Sequence, residues 1–184
     1  RNSLGIPQNA FVIGQIGRFD AGKNHAFTLR WFDSYCRVND DAFLMLVGDG
    51  ALKAQTQQTA TQLLLDGKVL FTGVRDDVPK IIHAFDVLLL PSLYEGLGGV
   101  VLEAQAADIP VVQSTGLPAE TDLGLGMIRR CALDDLDGWS KAVDACHDKG
   151  THAQAEILAA FDKAGFSLDA TVHRYLSIYE GQRK

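Results

Sequence analysis

The chain has 184 residues, of which 47% are apolar and 22% charged, and its formal net charge is −6. This length supports one well-buried domain and is short for two, while the acidic balance argues against a broad basic face for nucleic acid. Three widely spaced cysteines without a Cys-x-x-Cys pair argue against a disulfide framework and a zinc site and favour a reducing, cytoplasmic compartment, and no apolar run approaches the roughly 20 residues of a membrane span.

Apolar runs alternate with helical patterns along the chain. After a linker over residues 1–9, strands are predicted at 11–16, 43–47, 69–72, 87–90 and 109–112, with a weak sixth at 127–128. Helices are predicted near 25–38, 51–65, 77–84, 99–107 and 135–148, and two more over 152–182. Because the strands are mostly apolar rather than alternating, we expect burial on both of their faces. The pattern predicts a single α/β domain: a Rossmann-like open parallel sheet of about six strands over 10–150, with helices on both faces, and C-terminal helices over 151–184.

Residues suited to ligand binding follow five of the predicted strands. In an open parallel sheet, ligands bind outside the carboxyl ends of the strands, so these residues are expected to share one rim. They are Gly17-Arg18, Gly48-Asp49-Gly50, Gly73-Val74-Arg75, the loop from Pro91 to Gly99, and Ser114-Thr115-Gly116.

Arg18 and Lys23 are separated by a glycine-containing loop after the first predicted strand. Two cations at this spacing can converge on one diphosphate, Arg through its planar fork and Lys as a mobile point charge. Two solvated surface cations are the alternative interpretation of the same spacing.

Glu95 and Glu103 flank a glycine-rich segment, Gly96-Leu97-Gly98-Gly99, that leads into a predicted helix. Glycines let backbone N–H groups approach a ligand, and the start of the helix adds a positive dipole end. The two carboxylates suit sugar hydroxyls, Glu103 those of a ribose and Glu95 those of a hexose. A turn residue and a helix-surface charge are the alternatives.

The other patterns in the sequence do not indicate a ligand-binding or metal site. Gly48-Asp49-Gly50 lacks the third glycine of a dinucleotide fingerprint and is predicted to be a tight turn and helix cap. The five histidines have no metal-ligand spacing, so no metal site is expected. His83 fits a core or rim position. His25, just after Lys23, either caps or orients the loop that contains Arg18 and Lys23, or it has a structural role.

With these residues in view, the chain resembles the C-terminal, nucleotide-sugar-binding half of GT-B-fold glycosyltransferases. It is most similar to the retaining group called glycosyltransferase family four (glycosyl transferases group 1), in its exopolysaccharide and capsule branch. Four blocks match in order, at 16–25, 46–52, 69–73 with 77–78, and 90–105, and the last is the most specific: Leu90-Pro-Ser-Leu-Tyr-Glu-Gly-Leu-Gly-Gly-Val-Val-Leu-Glu-Ala-Gln105.

The resemblance implies a role for each residue already singled out. Arg18 and Lys23 would hold the donor diphosphate and stabilise its charge as the sugar leaves, and Glu95 would contact the donor sugar, which makes these three the catalytic set. Glu103 would bind the ribose hydroxyls. The rest of the donor-binding set would be Gly96, Leu97, Gly98 and Gly99 at the sugar and phosphates, Gly73, Val74 and Arg75 at the base, and Gly17.

The resemblance also implies an activity. The full-length protein would transfer a hexose from a nucleotide-diphospho-sugar to a glycan or lipid-linked acceptor in polysaccharide biosynthesis, with retention of configuration and without a metal or other cofactor. The acceptor would lie on an N-terminal domain outside this sequence, which would also carry any association with the inner face of the membrane. The isolated domain is therefore expected to be inactive. A nucleotide-sugar epimerase of the same fold and a non-catalytic nucleotide-binding module are the alternatives.

Three departures from the family pattern bear on the donor. Asp108 stands where the family usually has glycine, Gly98-Gly99 replaces the usual proline between the two glutamates, and the stretch after Ser114 is short. The base, the sugar and the acceptor are not specified by the sequence.

Overall fold

In the computed structural model, which describes residues 1–148 and 150–181, six strands form one open sheet in the order β3-β2-β1-β4-β5-β6. They are β1 (Phe11–Ile16), β2 (Ala42–Val47), β3 (Val69–Gly73), β4 (Val87–Leu90), β5 (Val111–Ser114) and β6 (Ile128–Cys131). Every pairing is parallel. The Rossmann-like α/β prediction is confirmed. Chain order reverses between β1 and β4, and the carboxyl ends of these two strands are where such a sheet binds ligands.

Helices follow the strands at the predicted places but are mostly shorter. They are α1 (His25–Cys36), α2 (Lys53–Gln62), α3 (Val78–Ile81), α4 (Gly99–Ala106), α5 (Leu136–Asp144), α6 (Gln154–Lys163) and α7 (Leu168–Gly181). Residue 182, to which the last helix is predicted to extend, lies outside the described residues. Ser167 is the N-cap of α7, as predicted, because its hydroxyl accepts the N–H of Ala170 at 3.1 Å.

The fifth strand is displaced by two residues from its predicted position. It runs from Val111 to Ser114, whereas the apolar run suggests 109–112. Pro110 has no N–H to give to a ladder, and Asp108 adopts a left-handed backbone with φ 56° that turns the chain just before it. Ser114 is therefore the last residue of the strand rather than part of the loop after it.

Alternate residues of the central strands face two apolar layers. Ile13 packs in the layer that contains Trp31 of α1 and Trp139 of α5. Val12, its neighbour, packs on the opposite face with Val101 of α4. Both faces of the central strands are thus buried, as predicted, whereas the edge strand β3 is only partly buried along its whole length.

Residues 1–9, predicted as a linker, lie against the domain. Asn2–Leu4 forms a single 3₁₀ turn, and Ile6 is buried in the apolar layer beneath α4. The guanidinium of Arg1 donates to the carbonyl of Ala84 at 2.9 Å and pairs with Asp86 at 2.7 Å. This segment is therefore fixed at the amino ends of β1 and β4, opposite the expected ligand edge.

Asp108 occupies the position at which the family that the sequence resembles usually has glycine. Its left-handed conformation is one that glycine adopts freely, and aspartate is among the residues that tolerate it. The carboxylate accepts the backbone N–H of His152 at 3.2 Å and contacts Nδ1 of the same residue at 2.8 Å, while Nε2 lies 3.1 Å from the carbonyl oxygen of Leu125. The substitution thus ties the segment before α6 to the turn between α4 and β5.

We expect the stability of the domain to fall as the pH rises through the pKa of His152. The hydrogen bond to Asp108 raises this pKa above its usual 6.5. The folded chain therefore keeps a proton that the unfolded chain releases between the two values, so the stabilisation is complete below this window and lost above it. Thermal unfolding of the wild type and His152→Gln from about pH 5 to about pH 9 measures the difference. If the melting temperatures of the two proteins change in parallel with pH across this window, the prediction is contradicted.

Helix α7 is the least embedded element. None of its residues is buried, and its large apolar side chains recur three or four positions apart along one face. They are Leu168, Val172, Tyr175, Leu176, Ile178 and Tyr179. Neither this helix nor any other in the described ranges combines the length and apolarity needed to span a bilayer.

Candidate functional site

The strand ladder continues into the loops at the carboxyl edge. The N–H of Gly17 donates to the carbonyl of Val47 at 2.9 Å, and the N–H of Gly48 donates to that of Gly73 at the same distance. The first residues after β1, β2 and β3 are therefore held in register with one another. This places three of the predicted ligand-binding segments side by side.

The segment after β2 supports the loop after β1. A Cβ on Gly48 would lie 2.0 Å from the carbonyl oxygen of Gly17, and one on Gly50 would lie 2.5 Å from that of Phe19. The tight turn and helix cap predicted at residues 48–50 are wrong in position, because this segment is irregular and the turn follows at residues 51–52, with Leu52 at the N-cap position of α2. Glycine is needed at Gly48 and Gly50 so that residues 17–24, which we call the Lys23 loop, can lie directly on this segment.

Lys23 is held at its backbone and along its side chain. Its N–H donates to a carboxylate oxygen of Asp20 at 3.0 Å, and its carbonyl accepts from the side-chain amide of Gln15 at 2.8 Å. The aliphatic stem passes over Gly17, where a Cβ would lie 2.9 Å from Cε of the lysine. The ammonium then reaches Glu95 at 2.5 Å. These contacts therefore fix both the direction of the Lys23 side chain and the position of its ammonium.

Glu95 receives two donors on one oxygen. Its Oε1 accepts from Nζ of Lys23 at 2.5 Å and from the hydroxyl of Ser92 at 2.6 Å. The side chain of Glu95 is only 11% exposed and that of Lys23 21%, so the pair is largely shielded from water. The structure thus brings together two of the three residues predicted as catalytic, with the carboxylate of Glu95 in contact with the ammonium of Lys23.

Two hydrogen bonds join the Lys23 loop to residues 91–98, which we call the Glu95 loop. The N–H of Leu93 donates to the carbonyl of Gly22 at 2.8 Å, and the side-chain amide of Asn24 donates to the carbonyl of Pro91 at 3.1 Å. The ring of Tyr94 covers Gly22 so closely that a Cβ there would lie 2.9 Å from Cζ. The two loops therefore form one surface at the switch point of the sheet.

Arg18 lies in the Lys23 loop but is exposed, and its guanidinium has no hydrogen-bond or ion-pair partner among the described residues. It is a cation at this rim that is free to move toward an anion.

His25, for which the sequence leaves open a capping or orienting role and a structural one, has the structural one, because it packs against the core. Its ring stacks on that of Phe19 at 4.0 Å, and neither ring nitrogen has a partner within the described ranges. Burial lowers the pKa of His25 to about 4, so the imidazole is neutral at physiological pH. His83, predicted at a core or rim position, is exposed on the short turn after α3.

Only one of the three glycines in the predicted sugar-binding segment needs to be glycine for its own backbone. Gly98 has a left-handed φ of 78° and is the N-cap residue of α4. Gly96 and Gly99 are outside that region and have open space where a side chain would project. Leu97, between them, is 45% exposed. These three residues thus leave room beside the start of α4.

Glu103 lies one turn into α4 and is exposed, and no described residue pairs with its carboxylate. It lines a depression of about 360 Å³ between α3 and α4 together with Pro79, Ile82 and His83. A carboxylate on the wall of an open groove is free to accept hydrogen bonds from hydroxyl groups.

The segment predicted to border the base leads directly into α3. Gly73 ends β3 with φ 74°, and Val74 is 75% exposed. The guanidinium of Arg75 is engaged with Asp77 through two hydrogen bonds of 2.6 and 2.8 Å. Arg75 is therefore held beside the start of α3, and Val74 is the most exposed side chain of this segment.

Several residues that build the site are absent from the predicted set. Ser92 positions Glu95, Asn24 joins the two loops, and Gln15 with Thr28 supports the backbone of Lys23. Gln15 carries a sequence signal, since it is a lone amide in an otherwise apolar strand. The part of the chain that the structure describes contains no cluster of three His, Cys, Asp or Glu residues arranged to hold a metal ion.

Comparison with known proteins identifies the family. The family described as glycosyl transferases group 1 matches residues 1–121. The chain belongs to this family. EpsF of Bacillus subtilis (strain 168), named as a glycosyltransferase, is 32% identical over 177 residues, which are 95% of this chain and 46% of that protein. The D-inositol 3-phosphate glycosyltransferase of Corynebacterium kroppenstedtii is 31% identical over 192 residues, covering 98% of this chain and 42% of the relative.

Solved structures of glycosyltransferases share the fold. HepE of Anabaena in complex with UDP-glucose superposes with a TM-score of 0.81 at 21% identity, covering 98% of this chain and 51% of HepE. A glycosyltransferase from Rickettsia africae superposes with a TM-score of 0.77 at 18% identity over 100% of this chain and 50% of its own length. The chain thus spans about half the length of the group 1 relatives and of these neighbours, consistent with one half of a GT-B fold.

Proposed function

We propose that this chain is the donor-binding half of a retaining glycosyltransferase whose donor is a nucleotide-diphospho-sugar. The observation that carries the proposal is the meeting of Lys23 and Glu95, 72 positions apart, at the carboxyl ends of β1 and β4. An anchored cation beside a shielded carboxylate offers one group to a diphosphate and one to sugar hydroxyls.

The ammonium of Lys23 can bind Glu95 and a phosphate group at the same time. It has three N–H donors, so it can keep the hydrogen bond to Glu95 while donating to a phosphate oxygen. Arg18, exposed at the same rim, would supply the second cation and chelate through its fork. Together they would stabilise the negative charge that develops on the diphosphate as the sugar departs, which is the main electrostatic demand of this reaction.

The α3–α4 groove would take the nucleoside. Glu103 on its wall would accept hydrogen bonds from the two ribose hydroxyls, and the backbone of residues 73–75 would border the base. Uracil is the first base to test, because HepE has been crystallised with UDP and with UDP-glucose. A relative from Escherichia coli, 34% identical over 60% of this chain and 30% of its own length, is named for UDP-Gal.

The remaining features of the reaction are proposals of the same kind. The acceptor would be a glycan or a lipid-linked sugar and would lie on an N-terminal domain, with transfer at the cytoplasmic face of the membrane. No metal or other cofactor is needed in this scheme, because Arg18 and Lys23 supply the positive charge. The isolated chain would bind donor without turning it over.

Calorimetric titration of the isolated chain tests the proposal. UDP, GDP and ADP are each titrated beside the corresponding monophosphate. One diphosphate is expected to bind measurably and more tightly than its monophosphate, since Lys23 and Arg18 meet the second phosphate. Absence of binding by all three diphosphates at millimolar concentration would overturn the donor-binding assignment and favour a module without nucleotide chemistry.

Glu103→Ala is expected to weaken binding of the preferred nucleoside monophosphate and diphosphate by the same factor, about tenfold. The carboxylate is proposed to contact the ribose, which both nucleotides contain, and not the phosphates. Glu180→Ala, which removes an exposed carboxylate from α7, is the matched control and should leave both dissociation constants unchanged. Unchanged affinity in Glu103→Ala would reassign this residue to the surface of α4.

A further inference from the structure

We propose that Gln15 and Thr28 are positioning residues that hold the backbone of Lys23 where its ammonium meets the donor diphosphate. The proposal rests on the donor-binding function above. It concerns two fully buried polar side chains, each 0% exposed, that do not reach the rim themselves.

The two side chains form a directed relay. The hydroxyl of Thr28 on α1 donates to Oε1 of Gln15 on β1 at 2.6 Å, and Nε2 of Gln15 donates to the carbonyl of Lys23 at 2.8 Å. Because Oε1 accepts the threonine proton, the amide nitrogen is the atom that faces the Lys23 loop. The relay thereby links a strand, a helix and the loop between them.

Lys23 is consequently fixed on both sides of its Cα. Asp20 accepts its N–H at 3.0 Å, and Gln15 donates to its carbonyl. Fixing these two groups fixes the direction in which the side chain leaves the loop, over Gly17 and toward Glu95. A catalytic ammonium must be placed to within a fraction of an ångström, so a small rotation of this backbone would misplace it.

The stability of the fold alone does not explain why Gln15 and Thr28 are polar. A buried amide must find partners for its polar atoms, whereas apolar residues of the same shape at both positions can be nearly neutral or stabilising. Gln15 lies between Gly14 and Ile16 in a strand otherwise suited to apolar residues. The hydrogen bond to Lys23 is what an apolar pair would lose.

The test uses the isolated chain and compares binding of UDP and UMP, or the GDP and GMP or ADP and AMP pair if that base binds more tightly. The ratio of the two dissociation constants measures the gain from the second phosphate. Gln15→Met/Thr28→Val replaces both partners by side chains of similar shape and is expected to fold, with a melting temperature a few degrees below that of the wild type because the carbonyl of Lys23 loses its donor. Its monophosphate affinity should be unchanged, and the ratio should fall at least threefold.

Two controls separate positioning from general damage. Thr28→Ser keeps the hydroxyl, and the ratio measured for this variant should match the wild-type value. Thr56→Val removes a buried hydroxyl that donates, within the described residues, to the carbonyl of Leu52 in its own helical turn, and this variant should leave the ratio unchanged. A wild-type ratio in the folded double variant would overturn the positioning role alone. A wild-type chain that binds the diphosphate no better than the monophosphate would contradict the proposed function and this inference with it.

Discussion

Lys23→Ala is expected to weaken binding of the preferred nucleoside diphosphate by about tenfold to a hundredfold, while binding of the monophosphate changes little. A hydrogen bond from a charged group contributes about 1.5–3 kcal/mol, which corresponds to this range. The loss should approach the upper end because the ammonium is already directed by its backbone contacts and largely shielded. In the full-length enzyme the same change should reduce turnover by orders of magnitude, since the charge on the departing diphosphate is greatest in the transition state.

The measurement is calorimetry for affinity and single-turnover kinetics for the full-length enzyme. Lys141→Ala is the matched control, because Lys141 also pairs with an aspartate, Asp137 at 2.7 Å, but lies on the exposed face of α5. It should leave affinity and turnover unchanged. Diphosphate binding that survives Lys23→Ala intact would show that the cation serves only to neutralise Glu95, and the phosphate assignment would then fall.

Gly48→Ala is expected to destabilise the domain by about 3 kcal/mol or more. The added Cβ would lie 2.0 Å from the carbonyl oxygen of Gly17, a backbone atom that cannot rotate away, and the residue has a φ of 138°. The Lys23 loop must therefore shift or the segment that contains Gly48 must move. Urea unfolding measures the loss, and any variant that remains folded should also lose diphosphate affinity.

Gly116→Ala provides the control for this substitution. A Cβ there would have no heavy atom within 4 Å, and no positive φ is required. Its free energy of unfolding should match that of the wild type within about 0.5 kcal/mol. If Gly48→Ala is as stable as Gly116→Ala, the close packing of the two loops does not contribute to the fold.

The sheet was predictable from the sequence because its strands are short, apolar and separated by helical patterns. Such runs indicate strands buried on both faces, and the handedness of parallel connections then leaves few topologies. The error in β5 has a physical origin: Ile109 and Pro110 are apolar and buried, but a proline has no N–H for the ladder. Burial and pairing are separate properties, and hydrophobicity reports only the first.

The candidate site was predictable only in part. Charged residues after strands suggested Arg18, Lys23, Glu95 and Glu103, but no spacing rule reveals which charges touch. The contact of Lys23 with Glu95 depends on Ser92, Asn24 and Gly22, which act through short polar contacts between distant loops. Likewise, the role of Asp108 depends on its backbone conformation and on His152, 44 positions away. Contacts of this kind are set by tertiary structure rather than by local pattern.

The exposure of α7 has a consequence for handling the isolated chain. A 14-residue helix with no buried side chain receives little support from tertiary packing, and peptides of this length are marginally helical in water. Its amides should therefore exchange with deuterium well before those of β1 and β4, and far-ultraviolet dichroism should show a shallow loss of signal on warming ahead of the cooperative transition.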